Sequence, residues 1–271
     1  MPKTRAAIVA LWLGTAPAPP PERRARAWSN TADLSLVLAG GNSKTAQLAL
    51  SDEFAYAWNR SELSLRIAAL RTETTKRSLS NVGGEVRVEE VRSTTAESYQ
   101  AAARYRHRIR KEFRGYAGVG WERNRLSGID GRTTFEAGIG IRFVEDGDHA
   151  LLLEGGASLT REDRVGGTRA SFAGARAFLG YVRPLSATSK LTSDLEILEN
   201  LDDTADWRAK SATALTASLT RAVALKLGYT VVYDNRPVVV SVADPTGANP
   251  PAAFEFGTTD HTVAASVVVN F

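Results

Sequence analysis

The chain has 271 residues, of which 24% are charged and 43% hydrophobic, a composition typical of a protein of one or two domains. Because it contains no cysteine, disulfides, thiolate metal sites and cysteine nucleophiles are excluded. The net charge is +4, but the arginines are scattered and form no basic stripe, so nucleic acid is not a predicted partner. The one notable unbroken apolar run, residues 6–13, is far shorter than the roughly 20 residues of a membrane-spanning helix.

The first 27 residues have the pattern of a secretory signal peptide. Lys3 and Arg5 precede the apolar run, and small residues and prolines follow it. Two cleavage sites of the Ala-x-Ala type end at Ala18 and Ala27, and the proline after Ala18 disfavours the first. We therefore predict a signal peptide over residues 1–27 and a mature chain over residues 28–271. The alternative is an amphipathic or disordered N-terminus without a targeting role.

Beyond residue 28, apolar and polar residues alternate with a period of two, which is the pattern of β-strands. Clusters of turn-forming residues separate these segments, and no helical period persists. The predicted strands cover residues 34–38, 46–58, 63–69, 99–109, 117–123, 135–143, 151–159, 173–181, 191–197, 207–219, 223–233 and 259–271. A further segment, residues 82–91, is ambiguous.

The last predicted strand, residues 259–271, ends on an aromatic residue at the C-terminus. It resembles the C-terminal signature strand of Gram-negative outer-membrane barrels, whose final aromatic is read by the barrel assembly machinery. The resemblance implies a transmembrane β-barrel and makes that machinery a predicted partner through Phe271. Such a barrel has an unremarkable average composition because lipid-facing apolar residues alternate with lumen-facing polar ones.

The number of strands depends on residues 75–98. Single-chain bacterial barrels have an even number of strands, with short periplasmic turns and longer external loops. Counting back from Phe271 at the periplasmic rim places the short turns on the inner side only if residues 75–98 cross the membrane an even number of times. We predict no crossing, and hence an all-β, closed antiparallel barrel of about 12 strands, with about 14 as the alternative. Residues 237–257, rich in Pro, Gly and Ala, are predicted to form a loop.

In this topology the outward-facing aromatic residues fall at two levels, like the aromatic girdles of outer-membrane barrels. The predicted periplasmic level contains Tyr56, Trp58, Tyr105, Phe143, Tyr181 and Phe271. The predicted external level contains Tyr99, Trp121, Phe135, Trp207 and Tyr233. A soluble β-sandwich, the alternative fold, would instead bury its aromatic residues near the centres of its strands.

A series of short motifs resembles the family of salt-induced outer-membrane proteins of Gram-negative bacteria. The motifs are Gly41-Asn42-Ser43, residues 116–123 (YAGVGWER), Gly128-Ile129-Asp130, Gly138-Ile139-Gly140, residues 153–156 (LEGG), residues 233–237 (YDNRP) and Phe271. The resemblance implies residence in the outer membrane and induction under salt stress. The domain of that family has no assigned activity, so the resemblance implies no catalytic residue.

The chain offers little for catalysis. The histidines, His107, His149 and His261, are predicted to lie too far apart to share a zinc ion, which needs about four converging ligands. His261 with Asp260, near Asp234 and Ser241, is the candidate for a hydrolase site at the external mouth. Nucleophilic catalysis requires a hydroxyl, a base and an orienting carboxylate within hydrogen-bond reach, which this spacing does not promise. We therefore predict no enzymatic activity, no metal and no cofactor.

Charged residues on four successive strands are predicted to face the lumen: Glu154, Arg176, Asp194, Glu196, Arg208 and Lys210. Hairpin symmetry places Glu154 roughly opposite Arg176 and Glu196 roughly opposite Lys210, so that opposite charges alternate around the wall. A ladder of ion pairs would fill a narrow barrel, whereas a water-filled pore lined by these charges would conduct small solutes. Glycines predicted to face the lumen and to reduce bulk there are Gly138, Gly140, Gly156 and Gly228.

Three functions follow from these patterns. The first is a monomeric barrel exported through the periplasm to the outer membrane, surrounded by lipid, with a narrow lumen for small solutes and a link to salt or envelope stress. The second is a structural or interaction barrel with a filled lumen, in which residues 237–257 contact envelope partners. The third is an outer-membrane hydrolase.

Overall fold

A computed structural model of the chain describes residues 28–39, 43–82, 85–125, 128–145, 149–237, 239–242, 252–255 and 257–271. The predicted signal peptide and the motif residues Gly41 and Asn42 lie outside these ranges. Within the described ranges, no helix is long and apolar enough to cross a membrane.

Fourteen strands are present in the described residues. Those of the barrel are β1 (Trp28–Ala39), β2 (Ser43–Trp58), β3 (Ser61–Val82), β4 (Glu85–Arg108), β5 (Phe113–Asn124), β6 (Ile129–Glu145), β7 (Ala150–Arg164), β8 (Arg169–Pro184), β9 (Ser189–Asn200), β10 (Trp207–Ser218), β11 (Val223–Asp234) and β14 (Thr259–Asn270). The other two, β12 (Val239–Val242) and β13 (Ala252–Glu255), pair only with each other.

The barrel is closed by the pairing of β1 with β14, in which Thr31 lies opposite Asn270 and Leu34 opposite Val267. Each of the other barrel strands pairs antiparallel with its neighbour, in the order β1-β14-β11-β10-β9-β8-β7-β6-β5-β4-β3-β2. The predicted all-β, closed antiparallel barrel of twelve strands is therefore confirmed.

The alternative of fourteen barrel strands is wrong, because residues 75–98 add no strand to the barrel wall. They lengthen β3 and β4, which pair with each other from Ser61 opposite His107 to Val82 opposite Glu85. Beyond Lys76, β3 has lost its partner β2, so the tip is a two-stranded extension. The apolar alternation of the sequence fades in this region, where the backbones of β3 and β4 pair with each other.

The predicted loop over residues 237–257 is also corrected. Val239–Val242 and Ala252–Glu255 form a two-stranded antiparallel sheet, with Val239 opposite Glu255 and Val242 opposite Ala252. The β-branched residues of β12 suit a strand, but their run is too short to stand out within a segment rich in Pro, Gly and Ala.

The barrel has two distinct ends. The terminal end contains Trp28 and Phe271. The backbone N–H of Phe271 donates to the carbonyl of Asn30 at 3.0 Å. It also contains tight connections such as the turn at Asn59 and Arg60, where Asn59 adopts a φ of 49° and Trp58 lies opposite Ser61. The opposite end, which we call the loop end, contains the β3–β4 extension and the β12–β13 sheet.

Polar residues face the barrel interior and apolar residues face outward. Along β7, Glu154, Ser158 and Glu162 are buried, whereas Leu153 and Leu159 are exposed. A soluble domain has the opposite arrangement, with apolar residues inside and polar residues outside. Polar residues inside and apolar residues outside are typical of a barrel whose outer surface contacts lipid.

The facing of β14 predicts that substitution by arginine destabilises the barrel to very different extents at two adjacent alanines. Ala265 points outward and Ala264 points inward. We expect Ala265→Arg to lower the free energy of unfolding in lipid vesicles by about 2–4 kcal/mol, because an arginine near the bilayer midplane must lose its hydration. Ala264→Arg, the matched control, places the arginine in the barrel interior beside Thr262 and Ser266 and is expected to lose less stability. Urea titration of both variants measures the difference, and equal losses would contradict the assigned facing.

Candidate functional site: the charged barrel interior

A cluster of charged side chains crosses the middle of the barrel. We call it the central network; it comprises Arg104, Tyr116, Glu136, Glu154, Arg176, Phe178 and Glu196. These residues lie on β4 to β9, each at an inward-facing position of its strand. Arg176 is the hub: its Nε lies 2.5 Å from Glu196 Oε1 and 3.2 Å from Glu136 Oε2, and its Nη1 lies 3.0 Å from Glu154 Oε2.

A second arginine shares the carboxylates of this hub. Arg104 donates from Nε to Glu136 Oε1 at 2.9 Å, and its Nη1 lies 3.5 Å from Glu154 Oε2. Arg106 lies beside them, with Nη1 3.0 Å from Glu62 Oε1 and Nε 3.8 Å from Glu154 Oε1. Glu136 and Glu154 therefore each bridge more than one guanidinium group, which holds long side chains in fixed positions across the lumen.

Tyr116 is held between the two arginines. The Cζ atoms of Arg104 and Arg176 lie 5.3 and 5.4 Å from its ring centroid, within the range of cation–π contacts. Its hydroxyl oxygen accepts a hydrogen bond from Arg176 Nη1 at 3.3 Å. Arg176 also lies 5.1 Å from the ring centroid of Phe178. Aromatic rings and guanidinium groups thus stack and obstruct this side of the interior.

Two glycines make room for Tyr116. A Cβ atom added to Gly138 or Gly156 would lie 2.7 or 2.5 Å from the Tyr116 hydroxyl oxygen, and would also collide with backbone atoms of the neighbouring strand. Glycine is therefore required at these positions by close packing.

We expect Gly156→Ala to lower the free energy of unfolding by about 1–3 kcal/mol, because the added methyl overpacks the wall beside Tyr116. Gly228→Ala is the matched control, since its Cβ would meet nothing nearer than 4.0 Å. That variant should be neutral or slightly stabilising, because alanine loses less backbone entropy on folding. Chemical denaturation in detergent micelles measures both, and a neutral Gly156→Ala would contradict the tight packing.

A second charged cluster lies toward the loop end around Glu162, which is fully buried. Glu162 accepts hydrogen bonds from Arg132 Nε at 2.7 Å and Arg164 Nε at 2.6 Å, and Arg208 Nη2 lies 3.6 Å away. Arg132 also pairs with Glu122 at 2.5 Å. Arg208 completes the cluster, with Nε 3.3 Å from Asp234 Oδ2.

A cavity of about 130 Å³ lies between this cluster and the central network. Side chains of both signs line it, including Glu122, Arg132, Glu196, Arg208, Lys210 and Asp260. Pro237 and Gly257, which flank the β12–β13 sheet, lie at its rim. A cavity of this size, bordered by these charged groups, has room for several water molecules, because one water needs about 10–15 Å³.

The structure places the predicted lumen charges on the inner face, with contacts that differ in detail from the prediction. Glu196 lies directly opposite Lys210. Glu154 lies opposite Phe178, whereas Arg176 lies opposite Gly156, two residues along β7 from Glu154. Arg176 therefore contacts Glu154 diagonally. Asp194 is buried opposite Ala212, and Arg208 contacts Asp234. Four inward residues of these clusters are not among the predicted lumen charges, although the same period of two places them inward: Arg104, Tyr116, Glu136 and Glu162.

The predicted aromatic residues lie on the outer face. Eight are exposed: Tyr56, Trp58, Tyr99, Tyr105, Trp121, Phe135, Phe143 and Phe271. Tyr181, Trp207 and Tyr233 are partly exposed. At the terminal end Trp58 lies 5.5 Å from Tyr56 and 6.0 Å from Tyr105 between ring centroids, and toward the loop end Trp207 lies 4.9 Å from Tyr233. Their contact with lipid headgroups stays a prediction.

The histidines lie apart from one another and from these clusters. His107 is hydrogen-bonded to the Ser61 hydroxyl at 3.0 Å, His149 stacks on Tyr181 at 6.4 Å, and His261 points outward. Asp260 faces the cavity, so its side chain and that of His261 lie on opposite faces of β14. Within the part of the chain that the structure describes, no group of three or more His, Asp or Glu residues could hold a metal ion.

One family profile and several solved structures are similar to the chain. The profile of a protein family described as "Protein of unknown function, DUF481" matches residues 32–242. No curated protein matches the chain. Among solved structures, the NanC porin is 10% identical with a TM-score of 0.48, covering 90% of this chain and 98% of its own. The translocator domain of the autotransporter NalP from Neisseria meningitidis is 12% identical with a TM-score of 0.47, covering 92% and 90%. The KdgM porin, solved with a disordered oligogalacturonate, is 9% identical with a TM-score of 0.42, covering 90% and 99%.

Proposed function

This chain belongs to the DUF481 family of proteins of unknown function, and we propose that it is an outer-membrane barrel with a narrow channel for small polar solutes. The observation that supports a channel is the charged interior that its side chains do not fill, with a cavity of about 130 Å³ beside the central network. Barrels of about 8 strands are filled by side chains, whereas those of about 16 hold an aqueous channel. Twelve strands give an intermediate bore, which the charged clusters narrow further.

Charges of both signs line this bore, so we propose selection by size and hydrogen bonding more than by the sign of the charge. Only solutes of a few heavy atoms fit beside the central network. A link to salt or envelope stress is part of the proposal and rests on the motifs found in the sequence. No catalytic role is proposed, because Asp260 and His261 point to opposite faces of β14.

The proposed setting is the Gram-negative outer membrane, reached through the periplasm. Lipid would cover the outward leucines, valines and aromatic residues. The barrel assembly machinery is a proposed partner through the strand that ends at Phe271. A monomer is part of the proposal, because the pairing of β1 with β14, from Thr31 opposite Asn270 to Leu34 opposite Val267, closes the barrel within a single chain.

A filled structural barrel is the second candidate, favoured by the burial of the central network. Arg176 and Glu154 are each only 3% exposed, so no water-filled passage runs through the network itself. In this candidate the loop-end extensions would contact other envelope components.

Planar-bilayer recording of the purified protein separates the two candidates. Faster gel migration without heating first establishes that the barrel is folded. Steady unitary currents are expected for a channel, whereas folded protein that inserts without producing current at any voltage would favour the filled barrel.

A further inference from the structure

The barrel wall opposite the central network is lined by small side chains. On β1, β2, β11 and β14 the inward positions near the middle of the barrel include Ser35, Ala49, Gly228, Thr230, Ala264 and Ser266. Together with their neighbours they line a second cavity of about 70 Å³. None of these four strands contributes a residue to the central network.

The inward glycines differ in how closely they are packed, and free space is not confined to one wall, because a Cβ atom on Gly120 of β5 would also meet nothing within 4 Å. A Cβ atom on Gly118 would lie 2.9 Å from Glu136 Oε1, and one on Gly174 would lie 2.6 Å from Ser158 Oγ. A Cβ atom on Gly228 would approach nothing closer than 4.0 Å. Free space therefore lies beside β11, away from the barrel axis.

The two cavities follow the same strands. On β11, Gly228 and Thr230 line the smaller cavity, and the next inward residues, Val232 and Asp234, line the larger one. On β14, Thr262, Ala264 and Ser266 line the smaller cavity, and Asp260 lines the larger one. On these two strands the larger cavity lies toward the loop end and the smaller one toward the terminal end, although residues of β5 to β10 line most of the larger cavity.

An ion pair lies at the terminal end of the smaller cavity. Lys226 Nζ on β11 donates to Asp33 Oδ2 on β1 at 2.8 Å, reaching past β14, which separates the two strands. Both side chains line the smaller cavity. Lys190 on β9 lies within electrostatic range of both. Beyond this pair the barrel wall reaches its short turns.

We propose that solutes cross the barrel off its axis, along the β11–β14–β1–β2 wall, and that Asp33 and Lys226 form the gate at its terminal end. This inference rests on the proposed channel function. The lining of hydroxyl, amide and methyl groups favours small uncharged solutes that exchange hydrogen bonds, such as polyols and amides. Asp33 and Lys226 neutralise each other, so a neutral polar solute passes this pair without taking away the partner of either charge.

The lack of cysteine in the natural sequence makes the path testable by single substitutions. Ser266→Cys places a thiol in the smaller cavity. Ser64→Cys, the matched control, places one at an inward, buried position of β3, where the serine hydroxyl donates to the Arg104 carbonyl. Both changes are nearly isosteric. Folding of each variant is checked by heat-modifiable gel mobility.

The readout is the swelling of proteoliposomes in glycerol before and after treatment with a methanethiosulfonate reagent. Treatment is expected to slow swelling several-fold for Ser266→Cys and to leave Ser64→Cys unchanged. Slowing only for Ser64→Cys, or for neither variant while the untreated protein conducts glycerol, would overturn the off-axis path. If the unmodified protein supports neither swelling nor bilayer current, the channel function itself fails, which is a distinct outcome.

The gate has a separate test. Replacing Asp33 and Lys226 together by alanine removes both charges without leaving either unpaired, and is expected to speed glycerol entry several-fold. The same double replacement at the exposed pair of Asp163 and Arg169 is the control and should have no effect. An unchanged rate in the folded Asp33→Ala, Lys226→Ala variant would exclude these residues as the gate.

Discussion

The Glu162→Ala variant is expected to lose about 3–5 kcal/mol of unfolding free energy, because removing one member of a buried ion pair leaves its partners uncompensated. Glu162 is 0% exposed and accepts hydrogen bonds from Arg132 and Arg164, with Arg208 3.6 Å away. Without its carboxylate, three guanidinium groups face one another with less negative charge between them. Arg132 and Arg208 keep Glu122 and Asp234 as partners, which limits the loss.

The neighbouring residue supplies the control for this prediction. Asp163 is 43% exposed and pairs with Arg169 at 2.8 Å. Because exposed ion pairs contribute about 0–1 kcal/mol, Asp163→Ala should change stability little. Urea titration in lipid vesicles, followed by tryptophan fluorescence, measures both variants. Similar losses of unfolding free energy in Glu162→Ala and Asp163→Ala would contradict the conclusion that the ion pairs of Glu162 are buried.

The Arg176→Met variant is expected to lose a similar amount, about 3–5 kcal/mol, for the opposite reason. Arg176 contacts Glu136, Glu154 and Glu196, so its removal leaves three carboxylates close together. Arg104 still neutralises part of the charge on Glu136 and Glu154. Methionine keeps much of the apolar contact with Tyr116 and Phe178, so the loss reports mainly on the charges.

Two further variants separate charge from shape at this position. Arg176→Lys keeps the charge but cannot donate from a planar fork to several carboxylates, so it should recover only part of the loss. Arg169→Met, on the same strand β8 but 75% exposed, should lose less than about 1 kcal/mol. Full stability of Arg176→Met would show that the central network does not hold the barrel together.

The sequence predicts the architecture well because a barrel in lipid imposes a strict two-residue period. Alternation of Leu153 with Glu154, or of Val267 with Ser266, assigns the facing of a strand without any knowledge of its partners. An even number of strands is the rule for single-chain bacterial barrels, and the positions of the terminal strand and the short turns then limit how often residues 75–98 cross the membrane. Both features depend on local pattern and on chain order, which a single sequence contains.

The contacts of the interior could not be predicted in the same way. Arg104, Glu136 and Glu162 occupy inward positions that the alternation from Tyr105, Phe135 and Leu159 would have indicated. The pairing of arginines with carboxylates depends on the register between strands and on the length of side chains that extend across several strands. Arg104 on β4 and Arg176 on β8 meet at Glu136 on β6, a contact that hairpin symmetry between adjacent strands does not contain.

The two corrected segments share a physical cause. In β3, β4 and the β12–β13 sheet, the paired parts of these segments are held by backbone hydrogen bonds between two strands, which place little demand on the side-chain pattern. Residues 75–98 and 237–257 therefore look irregular in sequence, although their paired parts are extended strands.

The central claim is that lipid covers the outward side chains of a barrel whose interior is wet. Nitroxide labels placed singly at residues 260–267 of β14, in protein reconstituted into vesicles, test it most directly by their collision rates with molecular oxygen and with a water-soluble nickel complex. Oxygen, which concentrates in lipid, should collide most at His261, Val263, Ala265 and Val267, and nickel most at Asp260, Thr262, Ala264 and Ser266. The absence of this alternation, or the same alternation in protein that stays dissolved without detergent or lipid, would contradict the account.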